Sequence, residues 1–130
     1  MFESVLPEEA IGVVNCLSSK LEDFYLAGGT GLALQLGHRR SADLDFFSQE
    51  TFNTDILIER LSPDNIFLAR EGTIHCELNK VKLSFLFYKQ PLIYQPIPWR
   101  GLKIADWKDI VAEKFKAISQ RGTKKDFYDL

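Results

Sequence analysis

The sequence predicts a small α/β domain (α+β in its mixture of hairpin and helices), and three patterns carry that expectation. An apolar run at residues 24–27 enters a Gly28-Gly29 turn and leaves it in a helix-forming stretch. Two further apolar runs, residues 73–78 and 81–88, are separated only by Asn79-Lys80 and read as a β-hairpin. Beyond them, Asp106 can cap a helix running to Gln120 or Arg121, with Gly122 as its stop.

The remaining elements follow in order. Pro7 with Glu8 and Glu9 suits a helix opening, since proline fits a first turn and acids its positive end. Ala10, Val14, Leu17 and Leu21 then share one side at helical spacing. A second helix is expected over residues 30–36, ended by Gly37, and a strand over 43–48. Residues 54–61 read as a short amphipathic helix and 65–69 as a strand. Residues 91–101 hold three prolines and are expected to be irregular, a surface loop or a lid. Thr123 and Asp126 resemble a capping box for one more helix, cut short at Leu130. Repeats and low-complexity tracts are absent.

At 130 residues the chain is the size of one domain, expected over 1–130 as a fragment of something longer that lacks a C-terminal helical extension. A hydrophobic fraction of 45% and a charged fraction of 26% are ordinary for a globular protein, and ten phenylalanines argue for a packed core. The net charge of -2 argues against a stable nucleic-acid coat, and stable DNA binding is not expected. Basic residues are local, at His38, Arg39 and Arg40 and again from Lys114 to Lys125, which fits a small or transiently held substrate. Cys16 and Cys76 form neither CxxC nor zinc spacing and read as reduced, buried thiols. The opening MFESVLPEEA lacks the pattern of a signal peptide, and no apolar run nears the ~20 residues that span a bilayer. The expected location is cytoplasmic, with no membrane partner.

The chemistry concentrates in four places. A strand feeding Gly28-Gly29-Thr30 into a helix aims backbone N–H groups at an anion, with the helix dipole favouring phosphate. Such a turn is equally common as a plain strand-to-helix connection. Fifteen residues after Gly28, Asp43 and Asp45 alternate along the expected strand and so share a face. Paired carboxylates repel unless a cation lies between them, and oxygen ligands suit Mg²⁺ shared with a triphosphate. Between these motifs, His38, Arg39, Arg40 and Ser41 can help neutralise that triphosphate, although Arg40 fits a solvated loop as well. Lys114 falls within the apolar stripe of Ile110, Val111, Phe115 and Ile118, where an ammonium needs a partner or must snorkel out. A phosphate or the Asp43/Asp45 pair would serve. Asp126 and Asp129 lie one turn apart, suited to orienting Lys114 or Arg121, to proton transfer, or simply to a helix start.

With these residues in view, the chain resembles the AbiEii/AbiGii-type nucleotidyltransferase family, known for the toxin halves of abortive-infection systems. FYLAGGTGLALQLGHRRSADLDFF resembles its signature, and VKLSFLFY followed by IADWKDIVAEKFKAISQRGTKKDFYDL is similar to its later strand, lysine helix and Lys-Asp-Phe-x-Asp-Leu element. The resemblance implies a nucleotidyltransferase-like fold, a mixed β-sheet flanked by helices. It also implies Mg²⁺-dependent transfer of a nucleoside monophosphate from an NTP to an RNA (tRNA) or protein acceptor, and a cognate antitoxin. On that reading Gly28, Gly29 and Thr30 hold the triphosphate with His38, Arg39, Ser41 and Arg121. Asp43 and Asp45 ligate Mg²⁺, Lys114 contacts the triphosphate, and Asp126 is a supporting acid or base.

The chain departs from the pattern at Ser84, where many members of the superfamily carry a third carboxylate; Glu77 is the available substitute. That departure favours a second reading, a weak or inactive nucleotide-binding or interaction module. CCA-adding tRNA enzymes share a double glycine and a later Asp-x-Asp, but the lysine helix and the Lys-Asp-Phe-Tyr-Asp ending argue against them.

Overall fold

The computed structural model describes residues 1–120. Among these, a 3₁₀ turn (Glu3–Val5) precedes α1 (Glu8–Leu17), β1 (Tyr25–Ala27), α2 (Gly28–Leu36), β2 (Leu44–Ser48) and α3 (Thr54–Leu61). There follow β3 (Asn65–Arg70), β4 (Thr73–Leu78), β5 (Val81–Phe87), β6 (Ile97–Trp99), β7 (Leu102–Ile104) and α4 (Trp107–Gln120). The seven strands form one sheet in the order β3-β4-β5-β2-β1-β7-β6. β2 runs parallel to β5 and β1 parallel to β7, and the other pairs are antiparallel, so the sheet is mixed.

Alternation gives the sheet two different faces. Leu26, Leu44, Phe46, Ile74, Leu83 and Phe85 point to one side and are packed by Ala10, Val13, Val14 and Leu17 of α1 and Leu57 and Leu61 of α3. Phe46 and Phe85 stack there with ring centroids 5.3 Å apart, and Phe24 meets Phe85 edge-on at 5.4 Å. The opposite face carries a smaller apolar group of Tyr25, Ala27, Leu32, Ala105 and Ile110, which leaves room beside it.

The β4–β5 hairpin closes at Asn79-Lys80, both at positive φ (48° and 67°), the backbone of a two-residue turn matched to strand twist. Asn53 caps α3, its side-chain oxygen accepting from the Ile56 amide at 2.9 Å. Gly37 ends α2 in the left-handed region.

Several expectations shift. The irregular segment expected over 91–101 gives way at Ile97 to a hairpin, β6 with β7, turning at Arg100 and Gly101 (φ 50° and 80°). Pro98 is tolerated because β6 is an edge strand, where a missing N–H breaks no ladder. Glu3 binds this hairpin to the N-terminal turn, accepting from Trp99 Nε1 at 2.6 Å and from Arg100 Nε at 2.6 Å and Nη2 at 3.0 Å. α2 begins at Gly28 and not Thr30, and β2 at Leu44 and not Asp43. Leu21 lies beyond the end of α1 yet is buried. Cys76 is buried as expected, whereas Cys16 is exposed, on the side of α1 away from its buried residues. Phe115 is 61% exposed and leaves the expected stripe, since it lies about 100° round the helix from buried Lys114. The expected stop at Gly122 and the helix starting near Thr123 lie outside the described residues.

Candidate active site

The sheet face turned away from the main core is the floor of an open cleft of about 1010 Å³, lined by strand side chains, α4 and the segment after β5. Its size is at the upper end of the range for small-molecule sites. Strand register sets a row of residues across this floor: Ala27 pairs with Asp45, Asp45 with Ser84, and Ser84 with His75. All four line the cleft. His75 Nδ1 and Ser84 Oγ are hydrogen-bonded at 2.9 Å.

The glycine turn opens onto the same space. Gly28 has φ +62°, and a Cβ there would fall on the Asp45 carboxylate, 3.1 Å from Asp45 Cβ and 3.2 Å from its Cγ. A Cβ on Gly29 would fall on the Arg39 guanidinium, 3.2 Å from Cζ. The turn, the acid and the arginine are therefore in van der Waals contact, and glycine is what allows it. Thr30 faces inward: fully buried, its hydroxyl donates to the Asp43 carbonyl and accepts from the Ser41 hydroxyl. Thr30 and Ser41, expected at the triphosphate, thus fasten the start of α2 to the segment entering β2.

The two acids differ in setting. Asp45, half-buried, lies on the cleft floor. Asp43 is exposed, one residue ahead of β2, and borders a smaller hollow of about 200 Å³ with Pro7, Glu9, Lys80 and Lys82. His38 and Arg39 are half-buried and Arg40 is exposed. Glu77 is not among the lining residues; it accepts from Asn65 Nδ2 at 3.2 Å on the outer strands.

α4 forms one wall and brings Lys114 to the cleft, only 8% exposed. Gln35 holds this helix against α2: its amide nitrogen donates to Gly31 O (2.9 Å) and Ala105 O (2.8 Å), and its oxygen accepts from the Trp107 amide at 2.8 Å. Gly31 leaves room for Ile110, whose Cδ1 would lie 3.0 Å from any Cβ there. Nearby, Tyr88 donates its hydroxyl to Glu113, and burial together with that bond pushes the phenol up to about 12. Burial likewise raises Tyr25 to about 12, helped by the neighbouring Tyr88 and Glu113. The segment over 91–94 borders the cleft through Pro91, Leu92 and Ile93, its Ile93 and Tyr94 amides donating to the Asp109 carboxylate at 3.0 and 2.9 Å. Lys108 lies 4.1 Å from the centre of the Tyr94 ring.

Of the expected site residues, Gly28, Gly29, Asp45 and Lys114 are thus brought together, while Arg121 and Asp126 lie outside the described residues. His75, Tyr88, Asp109 and Glu113 join them without having been expected, and Ser84, which stands where the resemblance puts a third carboxylate in many members, joins them as well. Tyr88 and Ser84 share a strand pattern that places alternate residues together, but which face meets the cleft depends on the parallel β2–β5 register.

Among the described residues no three His, Cys, Asp or Glu side chains gather into a metal cluster. The described residues by themselves therefore offer no all-protein cage, whereas Mg²⁺ is commonly held by one or two carboxylates plus substrate phosphates. Asp45, at the glycine turn and in the same cleft as Lys114, is a donor of that kind; Asp43, two residues before it, borders the smaller hollow.

The fold has relatives of known structure. JHP933 from Helicobacter pylori superposes with a TM-score of 0.59 at 22% identity, over 96% of this chain and 66% of that one. A second H. pylori structure, assigned as a candidate nucleotidyltransferase, gives 0.59 at 21% identity over 95% of this chain and 67% of its own. In sequence, aq_aa25 of Aquifex aeolicus (strain VF5) is 43% identical over 115 residues, 83% of this chain. The chain spans 56% of that relative's length. The family model described as nucleotidyl transferase AbiEii toxin, type IV TA system, matches residues 14–91, which include the glycine turn, both aspartates and the β4–β5 hairpin. With well over half of its length matched and this fold, the chain belongs to the AbiEii nucleotidyltransferase toxin family.

Proposed function

We propose that the cleft binds an NTP and that the chain carries the catalytic residues for Mg²⁺-dependent transfer of its nucleoside monophosphate to an RNA, such as tRNA, or a protein hydroxyl. The observation that carries this reading is the contact of the Gly28 turn with Asp45, facing buried Lys114 across one cleft. The N–H groups of Gly28 and Gly29, at the positive end of α2, hold phosphate oxygens. Arg39 and Lys114 add charge at the turn and the opposite wall, positioning the α-phosphorus for attack. Asp45, with Asp43 nearby, would hold the ion, which when bound supplies neutralisation of the triphosphate charge. The segment pinned by Asp109 borders the cleft and helps exclude water from it. Asp126 and Arg121 would complete the site from the chain beyond the described residues.

The family assignment supports a toxin paired with a cognate antitoxin, and the proposal extends this to an abortive-infection role in the cytoplasm. Among the described residues no helix is long and apolar enough to cross a membrane. Transfer is tested by incubating the chain with α-labelled NTPs, Mg²⁺ and tRNA or total protein. Label reaching an acceptor with the wild type and lost with Asp45→Asn supports the proposal; equal labelling by both contradicts it. A weak or inactive nucleotide-binding module is the second reading, favoured by one observation: the residue opposite Asp45 on β5 is Ser84, a poor ligand for a second metal.

A further inference from the structure

The cleft floor holds a polar pair that the transfer just described leaves unused. Ser84 sits in mid-β5 between Asp45 on β2 and His75 on β4, and its hydroxyl is bound to His75 Nδ1 at 2.9 Å. Neighbouring strands lie roughly 5 Å apart, so a phosphoryl group held at Asp45 is within reach of the Ser84 oxygen. The other phenolic and aliphatic hydroxyls on the lining are less suited. Tyr88 is engaged with Glu113 and, like Tyr25, is pushed up to about 12, and Thr73 is buried at the end of β4. Of the described hydroxyls lining the cleft, Ser84 is the one bonded to an imidazole.

Resting on the reading of the cleft as an NTP site, we propose that Ser84 is itself a nucleotidyl acceptor, with His75 as its base. With the ring proton on Nε2, Nδ1 accepts from the Ser84 hydroxyl. The oxygen of Ser84 attacks the α-phosphorus, forming the Oγ–P bond. The bond from that phosphorus to the bridging oxygen breaks, and pyrophosphate leaves with the electron pair. The hydroxyl proton passes to His75 Nδ1 and from there to solvent, to which His75 is exposed. The product is a phosphodiester, nucleotidyl-Ser84. Because Ser84 lies on the floor, the attached nucleotide fills the space the next NTP needs, so the reaction is limited to one per chain and shuts the cleft.

The test is intact-mass and peptide mass spectrometry of the chain after incubation with each NTP and Mg²⁺, with thermal unfolding under the same conditions. The expected result is a gain of one nucleoside monophosphate, mapped to Ser84. It is absent in Ser84→Ala, kept in Ser84→Thr, and slowed on the order of 10²-fold in His75→Gln. Stabilisation by an NTP without mass gain overturns the proposal and leaves the NTP site standing. So does modification at another residue, or undiminished gain in Ser84→Ala. Neither stabilisation nor mass gain overturns both. Should Ser84→Ala fail to melt cooperatively, the mapped site in the wild type and in Ser84→Thr decides the matter.

Discussion

Gly28 and Asp45 are in contact so close that a single methyl group on the glycine would occupy the space of the carboxylate. Gly28 is also at φ +62°, a conformation that costs an ordinary residue roughly 1–3 kcal/mol. Gly28→Ala is therefore expected to destabilise the fold by at least that amount and to push Asp45 off the floor. Denaturant unfolding measures the first effect and NTP-dependent stabilisation the second. Full stability with unchanged NTP response would contradict the geometry.

Thr30 is expected to be a fastener. Thr30→Val keeps the shape but leaves the Asp43 carbonyl and the Ser41 hydroxyl without their partner, at a cost of about 1–3 kcal/mol. Thr30→Ser keeps the hydroxyl and should lose less than half of that. If valine is harmless to stability but abolishes nucleotide binding, the hydroxyl serves the ligand instead.

Asp109 pins the segment that borders the cleft. Asp109→Ala removes the acceptor for two backbone amides, and hydrogen exchange at Ile93 and Tyr94 should accelerate by about 10-fold or more, since a bond to a charged group contributes about 1.5–3 kcal/mol. The exchange of core strands such as β5 should not change. Unaltered exchange at both amides would show that other contacts hold the segment.

The pairing of Glu3 with Arg100 and Trp99 holds its carboxyl down to about 2 from an ordinary 4.5. A depressed folded-state value means stability that is present above about 4.5 and lost as pH falls toward 2. Both side chains are partly exposed, so solvent screening leaves only a small contribution. Glu3→Gln should cost this small amount at pH 7 and almost nothing near pH 2. A cost independent of pH would assign it to packing alone.

How much of this was legible depended on how local each feature is. The glycine turn, the Asn79-Lys80 hairpin and the α3 boundaries are local in sequence, and backbone rules place them to within a residue or two. Lys114 was readable because it interrupts an apolar stripe. The β6–β7 hairpin hid behind Pro98, although Arg100-Gly101 between Trp99 and Leu102 is itself a hairpin turn signal. Ser84 was placed only by the resemblance, and the row from Asp45 through Ser84 to His75 was not readable from the residues themselves, because it needs the register of a parallel pair whose strands are separated by α3 and two further strands. Thr30's inward role was hidden for a related reason: only the path of the loop back to β2 brings the Asp43 carbonyl under its hydroxyl.

The most direct test of the cleft as an NTP site is thermal unfolding of the wild type and Asp45→Asn with each of the four NTPs, with and without Mg²⁺. A nucleotide at a hundredfold excess over its Kd stabilises the folded state by about 2.7 kcal/mol. For a chain of this size that is a rise in Tm on the order of 5–15 °C. The account predicts such a rise with at least one NTP, dependent on Mg²⁺ and lost in Asp45→Asn. No rise with any NTP, or the same rise in the variant, would contradict it.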